Sequence, residues 1–362
     1  MQNSKTKIKE WWSGLDKYIF FSVLTLIIIG LILVFSASQI IGNKYEISEY
    51  FFIKKHIIYI LLGLLTILAL SNLSTKNIII LSVIIFCCST LLSISAILFF
   101  SELKGASRWI KLFNVSFQPS ELLKPSFIVL SSLFLSRYKS KQDNSIYINI
   151  FFLIFISIIL ILQPDFGMFV LIFGVWFLQI IMAKINVKII LTIILSFSLT
   201  AILSFLYIDH VQFRIKNFFF NIGDNYQVTK SLEAFANGGY LGKGIGASEV
   251  SKKLPDVHSD FIFSLAAEEH GLVFVIFILM VYFLIFWRVF FISINENNFF
   301  NYSALSGLSN IFVFQSLINI SSSLNLLPTK GMTLPFISYG GSSILASSII
   351  IGFILSLTKK SK

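Results

Sequence analysis

The chain is expected to fold as an all-α polytopic membrane protein, with about ten transmembrane helices and a long outer loop between spans 7 and 8. Three observations lead there. Hydrophobic residues make up 56% of the 362 residues and charged residues only 12%, against about 25% charged in a typical soluble domain. So few charges cannot cover a water-exposed surface, and the composition excludes soluble, disordered and disulfide-scaffold classes. Apolar runs of roughly 18–25 residues recur, each long enough to cross the ~30 Å hydrocarbon core. Finally, all six prolines fall at the ends of those runs or between them.

Taken in order, residues 1–17 form a basic tail, and the first apolar run starts at Tyr18. That run is too long for a signal-peptide core and lacks a small-residue cleavage site, so it is expected to stay as the first span. The expected spans are about 18–40, 54–71, 77–100, 121–137, 146–163, 165–183, 187–208, 258–287, 301–322 and 338–358. An even count puts both termini on one side. Arg137, Lys139 and Lys141, then Lys184 and Lys188, then Lys359, Lys360 and Lys362 in the 359–362 tail mark that side as cytoplasmic. The membrane domain thus covers 18–358, with an amphipathic outer segment at 101–120 and the long outer loop at 209–257. The net charge of +11 fits Lys and Arg at helix ends; no basic stripe with exposed aromatics points to nucleic acid. Cys87 and Cys88 are adjacent inside an apolar run, and the four histidines have no H-E-x-x-H spacing, so no metal ligand set is expected.

Four outer segments concentrate the polar and helix-breaking residues. In the first, Arg108 and Trp109 precede an apolar stretch that reads as an amphipathic re-entrant segment, with Lys111, Gln118 and Ser120 following. Arg108 offers a forked donor for phosphate oxygens, and simple interfacial anchoring is the competing reading. Glu121 and Lys124 stand three apart on one helix face and can pair, either for function or to fix a helix. In the second, Gln163-Pro164-Asp165 makes a tight turn whose aspartate suits an N-cap better than direct chemistry.

In the third, Leu254-Pro255 through His258-Ser259-Asp260 runs straight into a span. Asp260 is expected in its first turn, where the helix N-terminus favours the charged carboxylate and burial opposes it. Such an aspartate can accept a proton from a sugar hydroxyl. Asp256 and Ser259 are expected to do the capping, and Glu268 and Glu269 to make helix–helix hydrogen bonds. The fourth segment, Leu327 to Ser343, holds two prolines, three glycines and Lys330, with Ser338, Gly340, Gly341 and Ser342 at the start of the last span. Its amides read as an anion nest or as a packed small-residue helix interface.

Gly105 to Trp109, Gln118 to Glu121, Gln163 to Asp165, Leu254 to Phe261 and Lys330 to Ser343 occur in the order found in the SEDS family (FtsW/RodA/SpoVE). The chain resembles that family along its whole length, and its division branch most. The resemblance implies a peptidoglycan glycosyltransferase of the bacterial inner membrane that polymerises lipid II at the periplasmic face, at the division septum. It implies as partners a class B penicillin-binding protein and other divisome membrane proteins. Asp260 matches the family's essential aspartate, as general base. Arg108, Glu121 and Lys124 match positions around its central cavity, and Lys330 the lysine of its last loop. Arg108, with Lys111, Lys124 and Lys330 behind it, is expected to neutralise the departing pyrophosphate, a task that a divalent cation (Mg or Mn) could share, with no cofactor required by the resemblance. Substrate contacts are expected from Trp109, Gln118, Ser120, Glu121, Asp165, His258, Ser338, Gly340, Gly341 and Ser342. A lipid II flippase and a non-catalytic divisome scaffold are the rival functions.

Overall fold

The structure is a computed structural model that describes residues 9, 11–46, 48–100, 107–112, 115–141, 143–207, 209–220, 226–328 and 331–359. Each expected span coincides with a helix. The first three are α1 (Lys17–Tyr45), α2 (Phe51–Leu70) and α3 (Thr75–Phe99). A short hairpin, β1 (Ile110–Leu112) and β2 (Val115–Phe117), leads into α4 (Ser120–Lys141), α5 (Ser145–Leu162), α6 (Phe166–Met182) and α7 (Val187–Tyr207). Two further helices follow, α8 (Asp209–Phe220) and α9 (Tyr226–Gly238), then α10 (Ile262–Ile294), α11 (Phe299–Ser323) and α12 (Gly341–Leu357). Among the described residues seven helices are long and apolar enough to cross a membrane; α6 and α12 are apolar but shorter. The chain is a multi-pass membrane protein.

The helices alternate in direction, which sorts the connections to two ends. Among the described residues one end is loop-rich and holds 107–112, 115–119, 163–165, 209–220, 226–261, 324–328 and 331–340. The other holds the start of α1 and the end of α12, tied there by Trp11 on Ser71, Arg288 on Asp16 and Ser356 on the Leu73 carbonyl. α11 lies at the centre, against α10, α4, α6 and α12. Glycines let the helices approach closely: a Cβ at Gly63 would meet Ser348 and one at Gly307 would meet Gln179 and Ile128. α7 is peripheral, with only Ile193 and Ser204 buried.

The structure gives form to two segments at the loop-rich end. In its described part the 101–120 segment carries a hairpin, in which Ile110 pairs with Phe117 and Lys111 with Ser116. Ile110 is buried and Lys111 exposed, the alternation of a strand. The long 209–257 connection contains α8, α9 and a 3-10 turn at Ser251–Lys253.

The second half of that loop repairs a break in α10. Gly271 has φ 78°, which interrupts the helix. Unbroken, the amides of Leu272 and Val273 would reach the carbonyls of Glu268 and Glu269. Instead residues 239–244 slip between them. Leu272 and Val273 donate to the carbonyls of Gly239 and Tyr240, while Lys243 and Gly244 donate to those of Glu268 and Glu269, at 2.9–3.3 Å. These four freed backbone groups thereby regain partners, which is what irregular backbone in a membrane bundle requires. The glycines are necessary because a Cβ on Gly242 or Gly271 would lie within 2.4 Å of the facing backbone.

Glu268 and Glu269 serve this loop rather than a helix–helix contact alone. The Glu268 carboxylate accepts from the amides of Glu249, Val250 and Ser251, from the Ser251 hydroxyl and from Asn237. Glu269 accepts from the Gly246 amide and from Ser36 of α1.

Candidate active site

The site grows from the turn that precedes α10. Asp256 has φ 53° and turns the chain, so that the amides of Ser259 and Asp260 donate to its carbonyl. α10 begins at Ile262 with no side-chain cap. Asp260 therefore stands just ahead of the helix and not in its first turn, and Asp256 and Ser259 shape the turn instead of capping. Asp260 is half-buried.

The loop before α12 is laced onto this turn. Ser338 Oγ donates to the Ser259 carbonyl at 2.6 Å and accepts from Leu334, and the Tyr339 amide donates to the His258 carbonyl at 2.9 Å. Asn319 of α11 donates from Nδ2 to the carbonyls of Asp260 (3.0 Å) and Met332 (2.6 Å). Gly331 faces the carboxylate so closely that a Cβ there would stand 3.3 Å from Asp260 Oδ2. The rings of Phe52, His258 and Tyr339 pack on one another at 4.5–5.4 Å beside the turn. Burial, and beside it the Tyr59 phenol, push the Tyr339 hydroxyl well above the ordinary tyrosine range, so it stays protonated.

Gly331 yields a direct expectation. Its φ of 61° disfavours any L side chain by roughly 1–2 kcal/mol, and the added methyl in Gly331→Ala would press on the carboxylate. A loss of about tenfold in turnover, with a thermal midpoint shifted by only a few degrees, is expected. Unchanged turnover would show that the carboxylate does not work where it stands.

A second set of buried polar groups continues from the same loop. Gln315, one turn before Asn319 on α11, donates to the Thr333 carbonyl (3.1 Å) and to Ser343 (3.3 Å), while Thr333 donates to Ser343. Its Oε1 accepts from Lys124, whose ammonium also lies 2.5 Å from Glu121. The expected Glu121–Lys124 pair is present, and Lys124 is only 1% exposed. Enclosed in this way, Lys124 is not placed to meet a leaving group, which corrects that part of the sequence reading.

Arg108, Gln118, Ser120, Asp165 and Ser342 form the third cluster. Asp165 caps α6 through the Met168 amide, as its turn suggested, and also lies 3.5 Å from the Arg108 guanidinium. Arg108 further donates to the carbonyls of Gln163 (3.2 Å) and Pro164. Gln118 bridges Asp165 (3.0 Å) and Ser120 (3.1 Å), and its amide donates to Ser342 (2.9 Å). These contacts cover the start of α12, where a Cβ on Gly341 would meet the Tyr59 ring at 2.9 Å. The Gly340-Gly341 region is thus a packed helix interface and not an open anion nest. Trp109 is half-buried and Lys111 exposed on the hairpin. Lys330 lies outside the described residues. Among the described residues no three His, Cys, Asp or Glu side chains group to hold a metal ion.

Gln315 and Asn319 join the site in the structure without being among the residues expected there from the sequence. Their signal was two amides four apart in an apolar helix, a spacing that puts both on one face.

Comparison with known proteins matches residues 16–362 to a family model described as "Cell cycle protein" (FtsW, RodA, SpoVE). A probable peptidoglycan glycosyltransferase FtsW from Caulobacter vibrioides is 32% identical over 99% of this chain and 93% of its own length. One from Coxiella burnetii is 33% identical over 95% of this chain and 96% of its own. Among solved structures, Thermus thermophilus rod shape determining protein RodA superposes with a TM-score of 0.70 at 23% identity, covering 97% of this chain and 99% of that one. A chain from a peptidoglycan synthase complex superposes with a TM-score of 0.77 at 22% identity, covering 95% and 97%.

Proposed function

This chain belongs to the FtsW/RodA/SpoVE family of cell cycle proteins, and from that premise we propose that it is a division-type peptidoglycan glycosyltransferase of the bacterial inner membrane. The observation that carries the proposal is the half-buried Asp260 carboxylate, set against Gly331 in a turn laced to α11 and to the loop before α12. In this reading both termini are cytoplasmic, the loop-rich end faces the periplasm at the septum, and the substrate is lipid II. Asp260 takes the proton from the 4-hydroxyl of the acceptor disaccharide as that oxygen attacks the donor's anomeric carbon. The bond from that carbon to the lipid pyrophosphate breaks with inversion, and undecaprenyl pyrophosphate leaves. Arg108, Lys111 and Lys330 are the cations left to offset the charge of that leaving group, a term that is usually large. A class B penicillin-binding protein then cross-links the glycan.

The flippase alternative needs polar groups reachable from both faces. Glu121, Lys124, Glu268 and Glu269 instead all sit toward the loop-rich end and are occupied within it. Reconstitution of the purified protein in vesicles with labelled lipid II tests the proposal. Muramidase-sensitive polymer is expected in the presence of the transpeptidase; translocated lipid without polymer would make the protein a flippase, and neither product would make it a scaffold.

A further inference from the structure

We propose that Asn319 is a positioning residue for the transfer: its side-chain amide sets where the Asp260 carboxylate stands against the 331–333 segment. The inference rests on the reading of Asp260 as the base. One NH2 group serves two carbonyl oxygens, those of Asp260 and Met332, at 3.0 and 2.6 Å. Both oxygens carry partial negative charge, and the shared donor is what lets them converge on one point. The amide has one workable orientation, because a flip would turn Oδ1 toward both carbonyls. Asn319 is 2% exposed, and among the described residues its Oδ1 has no hydrogen-bond partner, so the hold is through Nδ2.

Met332 follows Gly331, the residue that borders Asp260 Oδ2. Releasing Met332 therefore opens the space beside the carboxylate. One turn away, Gln315 pins the Thr333 carbonyl in the same manner. Two amides of the central helix thus hold the wall against which Asp260 rests, and neither is placed to touch a reacting atom in this arrangement. Their effect passes through the carboxylate.

The test compares Asn319→Leu, which keeps similar bulk without a donor, with the unaltered full-length protein and its transpeptidase in vesicles supplied with labelled lipid II. A 1 Å misplacement near a reacting centre can lower a rate about 10²-fold. A kcat reduced ten- to hundred-fold is expected, with KM within twofold and a displaced acidic limb in the pH–rate profile. Unchanged kcat and pH profile would overturn the proposal. So would a parallel fall in kcat, apparent affinity and thermal midpoint, which is the mark of a structural role. If Asn319→Leu does not accumulate folded, Asn319→Ser, which keeps a shorter donor, is read by the same three quantities. Asp260→Asn separates the two levels of inference. If it is inactive while Asn319→Leu is normal, only the positioning role fails; if it is active, the base assignment and the positioning role fall together.

Discussion

Asp260→Asn is expected to abolish glycan polymerisation, by at least a hundredfold, while leaving accumulation in the membrane and thermal unfolding close to those of the unaltered protein. The amide is nearly isosteric with the carboxylate but does not accept a proton at assay pH, and general-base catalysis typically contributes ~10²–10⁴-fold. Asp260 sits ahead of α10, where its amide, carbonyl and neighbours carry the hydrogen bonds that hold the turn. Those bonds use the main chain of the turn, so the substitution leaves them intact. Quantifying labelled polymer after muramidase digestion checks the result. Polymer of normal yield from the variant would remove Asp260 from the mechanism.

The second large effect is on stability. Lys124 and Glu121 are 1% and 6% exposed and lie 2.5 Å apart, with Gln315 as a third member. Removing one partner of such a pair strands a charge out of water, which typically costs about 3–5 kcal/mol. Lys124→Met is therefore expected to lower the thermal midpoint in detergent strongly, and Glu121→Leu likewise. The double variant Glu121→Leu/Lys124→Met strands no charge and is expected to recover most of the loss. Singles no worse than the double would show that the pair is not held as a desolvated unit. The comparison also separates packing from catalysis, since this pair braces the 333–343 region through Gln315.

The spans were legible because the length of an apolar run is a direct property of composition: each expected run falls on a helix, and seven of these helices are long and apolar enough to cross a membrane among the described residues. The Glu121–Lys124 pair and the Asp165 cap were legible because each depends on spacing within one helix end. The hairpin was not: three residues per strand are too few to separate period two from 3.6, and an Arg-Trp pair fits an interfacial helix as well. Gly271 was passed over because a lone glycine inside a membrane helix is ordinary; its role exists only through residues 239–244, distant in sequence. The enclosure of Lys124 by Gln315 and the tie from Asn319 to Asp260 link residues 191 and 59 positions apart. No local pattern in the chain records contacts of that range.

The pH dependence of glycan formation under single-turnover conditions tests the central claim most directly. With Asp260 as the proton acceptor, the rate must fall as the medium becomes acidic enough to protonate the carboxylate, and the residual rate of Asp260→Asn must lack that fall. Tyr339 cannot produce it, because its hydroxyl is held protonated far above this range. An acidic limb present in the unaltered protein and absent from Asp260→Asn is the predicted outcome. The same limb in both would assign the titration to another group and contradict the account.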